Sequence, residues 1–347
     1  MITRFLPEQE YACWAELVSR SPDGSVHCLP DYLEALCAAT GGSFRILAAE
    51  RDGQLVGGIA LYQQRSMFGT YVTPRTLLYY NGIVVARHTA SVPSQRTEWH
   101  LRIVTALEQA LADLSYSRLR FKSRSTLADL RPFDERRWKV RPTWSYVVEI
   151  TDLAAAWARV HKDQRRLVER CRDGGLQITI GGDFDEFYRL HLETHRRKDA
   201  PLYLPQDCFR RFVDTVQKRG LARLYHARLP DGRVAASQLV LTGPHPVSHT
   251  VAAATDPEFL KLGVAAFLRW QVFEQLAQAG YVANDLTDAG LSPVTRFKAQ
   301  LGGELVLCLQ VSRNRSVFRT IERAMAAAAT TTRHLPRVLS AQRPRVP

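Results

Sequence analysis

Two stretches decide the fold, Phe44-Arg-Ile-Leu-Ala-Ala-Glu-Arg-Asp52-Gly53-Gln-Leu-Val-Gly-Gly-Ile-Ala-Leu61 and Ala222-Arg-Leu-Tyr-His-Ala-Arg-Leu-Pro-Asp231-Gly232-Arg-Val-Ala-Ala-Ser-Gln-Leu-Val-Leu241. In each, two apolar strand-like runs flank an Asp-Gly pair, the strongest short signal for a β-hairpin. Each hairpin is followed by another strand-like run, Arg75 to Val85 in the first half and Val247 to Ala254 in the second. A helix follows in both. Leu101, Val104, Leu107, Leu111 and Leu114 share one face at helical spacing. Phe259, Leu262, Ala266, Trp270, Phe273 and Leu276 do the same, with Gly280 where a C-terminal cap belongs. A short strand comes next, Arg118 to Phe121 and Val282 to Leu286, and each half ends in a further strand, Trp144 to Ile150 and Glu304 to Val311. Five elements in one order, given twice, point to duplication of an α/β unit.

The chain of 347 residues exceeds the usual size of one domain, and each half is long enough to bury its own core. The seam is expected near 150–160, giving domains 1–150 and 151–320 and a tail, 321–347, that is Ala-rich and helical, then basic and disordered. The expected class is α/β (α+β), with each unit a mixed, mostly antiparallel sheet flanked by helices.

Lys and Arg number 47 against 34 Asp and Glu, a net charge of +13. Such an excess attracts RNA, phosphorylated carriers and anionic lipid surfaces, and it equally suits a solvated Arg-rich surface. The helix after the seam, His161 to Arg172, ends at Gly174-Gly175 and carries Lys162, Arg165, Arg166 and Arg170. Those four suit RNA phosphates, or else ion pairs with Asp163, Glu169 and Asp173 on a solvated face.

The six cysteines form no CxxC pair and no zinc-like cluster with histidine, so buried free thiols in a reducing cytoplasm and no metal are expected. The first residues do not read as a signal peptide, and no uncharged run approaches bilayer length. A cytoplasmic protein with at most peripheral membrane contact is expected. Walker, GxGxxG and HExxH motifs are missing, which argues against nucleotide hydrolysis, nicotinamide chemistry and zinc hydrolysis.

The run Leu260-Lys-Leu-Gly263-Val264-Ala265 opens the second unit's helix. Backbone N–H groups at such a helix start bind a donor's phosphates. A packing glycine at a helix start is the other reading.

These patterns together resemble the Fem-type and BioF2-like branch of the GNAT acyltransferase superfamily, over about residues 10 to 312. The likeness rests on Ser21-Pro-Asp-Gly-Ser, Leu29-Pro-Asp-Tyr-Leu, the Asp52-Gly53 hairpin and Tyr80-Asn81-Gly-Ile83 in the first half. In the second half it rests on the basic helix, Phe187-Tyr188, Thr194-His-Arg196-Arg197, the Gly263 helix start, Asp285 and Arg296-Phe297-Lys298 before Leu301-Gly302. The resemblance implies tandem GNAT-like domains, the first shaping an acceptor cleft without a donor site and the second binding donor and doing the chemistry. It implies amide formation, with an aminoacyl group moved from aminoacyl-tRNA to an amine of a peptidoglycan precursor or peptide-like metabolite. The alternative donor is acyl-CoA, with an exopolysaccharide, lipid or small molecule as acceptor. No bound cofactor is implied beyond that donor co-substrate. A non-catalytic RNA- or membrane-surface-binding GNAT scaffold is the reading from another class.

By the same resemblance Phe297 and Lys298 belong to the active site, Arg197 or Arg196 meets acceptor phosphates, and Asn81 contacts substrate. Gly263, Val264 and Ala265 hold the donor. The long inserted helical arm of the cell-wall enzymes is missing here, and the glycine-rich run near Asp285 is altered. Chemically, an ammonium at Lys298 suits stabilisation of a tetrahedral oxyanion. Asp285 suits acceptance of the amine proton or orientation of the acceptor. No Cys-His or Ser-His-Asp pattern demands a covalent intermediate.

Overall fold

The computed structural model describes residues 1–291 and 293–314; the expected tail, 321–347, lies outside them. Its strands are β1 (Ile2–Phe5), β2 (Ser43–Arg51), β3 (Gln54–Ser66), β4 (Gly69–Val72), β5 (Ile83–Val85), β6 (Arg118–Lys122), β7 (Lys139–Glu149), β8 (Gln177–Ile180), β9 (Ala222–Arg228), β10 (Val234–Leu241), β11 (Val247–Thr255), β12 (Ala283–Asp285) and β13 (Glu304–Asn314). The α-helices are α1 (Tyr11–Arg20), α2 (Pro30–Thr40), α3 (Pro93–Asp113), α4 (Arg131–Glu135), α5 (Leu153–Arg159), α6 (Lys162–Asp173), α7 (Phe184–Arg197), α8 (Gln206–Lys218), α9 (Val264–Gln278) and α10 (Pro293–Gln300). None among the described residues is long and apolar enough to cross a membrane.

Both Asp-Gly hairpins form. In β2–β3 the turn is as tight as the sequence allows, because Asp52 (φ 53°) and Gly53 (φ 76°) both take left-handed backbone and Arg51 pairs with Gln54. In β9–β10 the loop is wider, and the amide of Gly232 donates to the Leu229 carbonyl. The run from Arg75 to Val85, read as one strand, is extended strand only at β5; Arg75 and Leu78 form a bridged turn with Leu77 at φ 70°. The second unit's helix also starts later than its apolar spacing suggested, at Val264. Phe259 and Leu262 lie in a 3-10 turn spanning Pro257–Leu262.

All thirteen strands join one mixed sheet, in the order β1-β2-β3-β4-β6-β13-β7-β12-β11-β10-β9-β8, with β5 against β3. The last strands of the two sequence halves are exchanged. β7 pairs antiparallel with β12, Asp285 opposite Val147, whereas β13 pairs with β6, Val311 opposite Phe121. The two exchanged strands also pair with each other, from Glu304↔Val147 to Ser312↔Lys139. Each half therefore completes its sheet with a strand from the other.

Three cores flank this sheet. One, under α1, α2, α7 and α8, spans both halves; Tyr32 on α2 meets Phe212 on α8 with ring centroids 5.7 Å apart. The second packs α6 and α9 against the second half, and the third packs α3 and α4 against the first. Of the cysteines, Cys28, Cys171 and Cys308 are buried as expected, but Cys13 is exposed and Cys37 and Cys208 are half-buried.

Candidate active site

The parallel pair β11–β12 is registered only from Val247↔Ala283 to His249↔Asp285. β12 stops there while β11 runs on to Thr255, so the two strands part in the middle of the sheet. Just beyond the parting, the β10–β11 register slips: Leu239 faces Ala252 but Val240 faces Thr250. Val251 is thus the extra residue of a β-bulge. Its carbonyl, released from the ladder, accepts hydrogen bonds from Tyr203 Oη (3.3 Å) and Tyr79 Oη (3.5 Å).

After β11, Asp256 accepts from the amide of Glu258 (3.0 Å) and starts the 3-10 turn. The turn ends at Gly263, φ 94°, which carries no side chain to cap α9. The Gly263 carbonyl takes the amides of Ala266 and Phe267. The amides of Val264 and Ala265, in the first turn, have no intrahelical acceptor and sit at the positive end of the helix dipole. Gly263 and Ala265 line a cavity of about 420 Å³, with Thr194, Arg197, Arg269 and Phe297 on its walls and alanines of β10 and β11 on its floor. The Val264 side chain is instead buried in the core, so its contribution here is its amide.

The glycine is required twice over. A Cβ at Gly263 would lie 2.6 Å from Leu167 Cβ, and its φ disfavours any other residue. Gly263→Ala is expected to destabilise the fold by roughly 2–4 kcal/mol in urea unfolding. Adding Leu167→Ala should return little, because the Leu167 Cβ that makes the closest contact remains, as does the backbone strain.

The basic helix α6 keeps its charges at the surface, and two of its arginines reach backbone carbonyls of neighbouring segments. Arg170 Nη2 donates to the carbonyls of Lys261 (2.8 Å) and Leu262 (2.6 Å), fixing the turn that delivers Gly263. Arg165 reaches the carbonyls of Trp157 and Ala158, and Arg166 lies 4.0 Å from Asp163. Of the four residues read as an RNA face, Lys162, Arg166 and Arg170 are exposed and Arg165 is half-buried; Arg165 and Arg170 also hold backbone carbonyls of the fold.

Asp285 is buried at the parting of the strands and joins three segments. Oδ2 accepts from Tyr80 Oη (2.7 Å), and Oδ1 accepts from Ser145 Oγ (2.5 Å) and the Thr287 amide (2.8 Å). His249 Nδ1 lies 3.8 Å from Oδ2. Burial, then Arg124 and His245, pushes that imidazole well below its ordinary range, so it is neutral at physiological pH. Lys298 Nζ donates to the carbonyls of Thr287 and Asp288, the latter at 2.7 Å. Both residues hold left-handed backbone (φ 47° and 49°), uncommon without glycine. Lys298 thus pins the loop after β12. Burial, with Arg269 next, brings its ammonium down to about 8.

Phe297 and Arg197 line the cavity; Arg196, one residue earlier at the exposed end of α7, does not. Asn81 lies away from it. Its Nδ2 donates to the Arg120 carbonyl (3.2 Å) and its Oδ1 accepts from the Lys122 amide (3.0 Å), so this buried side chain fastens a loop to β6.

Residues 158–298, from the end of α5 through Lys298, match the family described as acetyltransferase (GNAT) domain. Over this segment the chain is similar to GNAT domains. Every residue lining the cavity falls within it. Among curated proteins no sequence matches the chain. Among solved structures it is similar to FemX, at 15% identity and TM-score 0.71, covering 93% of this chain and 100% of that one. It is also similar to L-PGS from Bacillus licheniformis, at 12% identity and TM-score 0.56, covering 92% and 96%. A tandem GNAT protein from the clavulanic acid biosynthesis pathway matches at 13% identity and TM-score 0.50, covering 90% and 98%. At such identities the likeness is one of fold, and it bears out the tandem, Fem-like GNAT architecture.

The matched segment also holds cavity residues that the sequence reading passed over. Arg269 is the chief one: the single charge in the mostly apolar first three turns of α9, Val264-Ala-Ala-Phe-Leu-Arg-Trp-Gln-Val-Phe273. That isolation was a usable signal. Tyr79 and Tyr203, which meet at Val251 outside that lining, carried none, because their meeting depends on a bulge and on packing between the halves.

Proposed function

We propose that the chain joins an aminoacyl group from aminoacyl-tRNA to the amine of a peptidoglycan precursor or peptide-like metabolite. The observation that carries this reading is the uncapped start of α9 opening into a cavity that holds Arg197, Lys198 and Arg269, beside the stretch of β11 that runs on past the end of β12. Phosphates of the donor rest on the Val264 and Ala265 amides, and its acyl carbonyl lies toward Lys298 in the gap between the strands. Segment 1–150 supplies the acceptor side through Tyr79 and Tyr80, and segment 151–320 binds the donor.

The reaction needs little beyond positioning and charge. A neutral amine attacks the acyl carbonyl, giving a tetrahedral oxyanion. Lys298 has three N–H groups, and two are spent on the Thr287 and Asp288 carbonyls. The third is left for the oxyanion. Collapse breaks the ester bond, and the proton lost by the amine ends on the departing ribose oxygen. Asp285, its oxygens already engaged by three donors, is a positioning residue for this loop.

The small-residue floor, Ala236, Ala253 and Ala254, favours one second reading: a narrow pantetheine arm, with acyl-CoA as donor. One similar solved structure is titled a tandem GNAT protein without AcCoA. Mass spectrometry of amine acceptors incubated with charged tRNAs or a set of acyl-CoAs separates the two. An aminoacyl adduct formed only with charged tRNA, and weakening steeply with salt, supports the first reading. Consumption of CoA thioesters alone replaces it with the second.

A further inference from the structure

Arg269 projects from the second turn of α9 into the cavity, one turn inward from Ala265 on the same face. Its cavity edge is open, but Nη1 is closed off from solvent and has no hydrogen-bond partner. Among the described residues no carboxylate forms an ion pair with it. The charged groups near it are cations: Lys198 and Lys298 both feel its field. Burial lowers the guanidinium to about 10, so it still carries its charge at neutral pH. A half-buried cation beside other cations, one nitrogen closed off and no counter-charge among the described residues, is costly, and native structures seldom leave one so.

Two further polar atoms around the cavity are also unpartnered. Thr194 Oγ1 is buried with its hydrogen unused. Gln238 Oε1 is free because of a fixed chain of amides and hydroxyls. Asn284 Nδ2 donates to Ser248 Oγ, so Asn284 Oδ1 receives the Thr250 hydroxyl hydrogen. Thr250 can then only accept, which it does from Gln238 Nε2. The cavity therefore offers a guanidinium and a hydroxyl as donors, with a lone acceptor beside them.

We infer that the cavity takes its substrate by an anionic oxygen group, a carboxylate or a phosphate, seated on Arg269 and Thr194. Gln238 is placed for a neighbouring N–H. This deepens the acyl-transfer reading and rests on it for the word substrate: the acyl chain or the acceptor amine bears the anion, about one helical turn from the donor phosphates.

The test compares thermal unfolding of the wild type, Arg269→Leu and Arg269→Lys in glutarate or inorganic phosphate at tens of millimolar and constant ionic strength. The wild type should gain on the order of 2 °C, Arg269→Lys a part of that, and Arg269→Leu nothing. Without anion, Arg269→Leu should melt at or above the wild-type temperature, since it removes an unpaired, half-buried charge. A gain with glutarate alone marks a carboxylate substrate, and with phosphate alone a phosphorylated one. The inference is overturned if all three proteins gain equally, or if the wild type gains with neither anion. It also falls if Arg269→Leu melts several degrees lower and Arg269→Lys restores it, which is the mark of a structural arginine. Product formation by the wild type, assayed in parallel, keeps the two claims apart. An Arg269-dependent gain without turnover leaves the anion site standing and removes the transferase. Turnover without a gain does the reverse.

Discussion

Asp285→Ala is expected to cost roughly 3–5 kcal/mol of stability in urea unfolding, the range for removing one member of a buried charged network. The carboxylate binds Tyr80 from the first half, Ser145 from the exchanged strand β7 and the Thr287 amide of its own loop. Removing it strands three donors in a buried seam. Asp285→Asn, which keeps one acceptor oxygen, should lose less, because the Tyr80 or the Ser145 hydroxyl must then face an amide N–H. Activity should fall with both, since the loop that Lys298 grips begins here. A loss below about 1 kcal/mol for the alanine variant would show that this seam does not hold the halves together.

Lys298→Ala should act on rate more than on stability. Two loop carbonyls lose their donor, costing about 1–2 kcal/mol. The oxyanion loses its proposed donor, lowering kcat about 100- to 1000-fold. The pH dependence separates the two roles. The ammonium lies at about 8, against an ordinary 10.5, so the folded state prefers the neutral amine. Its contribution to stability is full above 10.5 and is lost as pH falls through 8. The rate runs the other way, because the protonated form gives the hydrogen bond: kcat should decline with rising pH about a midpoint near 8. In Lys298→Arg that decline should move beyond pH 10. A kcat profile with the same limb in both proteins would remove Lys298 from the chemistry.

The fold was legible wherever local rules decide it. Asp52-Gly53 and Asp231-Gly232 announced their hairpins, the leucines of α3 announced their helix, and Gly263 marked the start of α9. The exchange of β7 and β13 was not legible. Both strands have similar length and apolar content, and nothing local says that β7 belongs beside β12 and β13 beside β6. Pairing partners distant in sequence are set by the packed whole. The site divides in the same way. Gly263 and Ala265, two positions apart in sequence, line the cavity together, and Phe297 lies on its wall. Lys298 was read as an ammonium suited to an oxyanion, and nothing in the sequence signalled that two of its hydrogens go to the loop at Thr287 and Asp288. The carbonyls that Arg165 and Arg170 reach were not legible, because charge alone does not reveal a carbonyl behind a helix. Nor were the bonds that fasten the buried Asn81 to β6.

The account turns on where the activated carbonyl sits, and a crystal structure with a non-hydrolysable aminoacyl-adenosine analogue or a CoA thioester measures that directly. The account places the donor phosphates on the amides of Val264 and Ala265, with the carbonyl carbon between the parted ends of β11 and β12, within reach of Lys298. A donor bound elsewhere, with the first turn of α9 still bare, would contradict it.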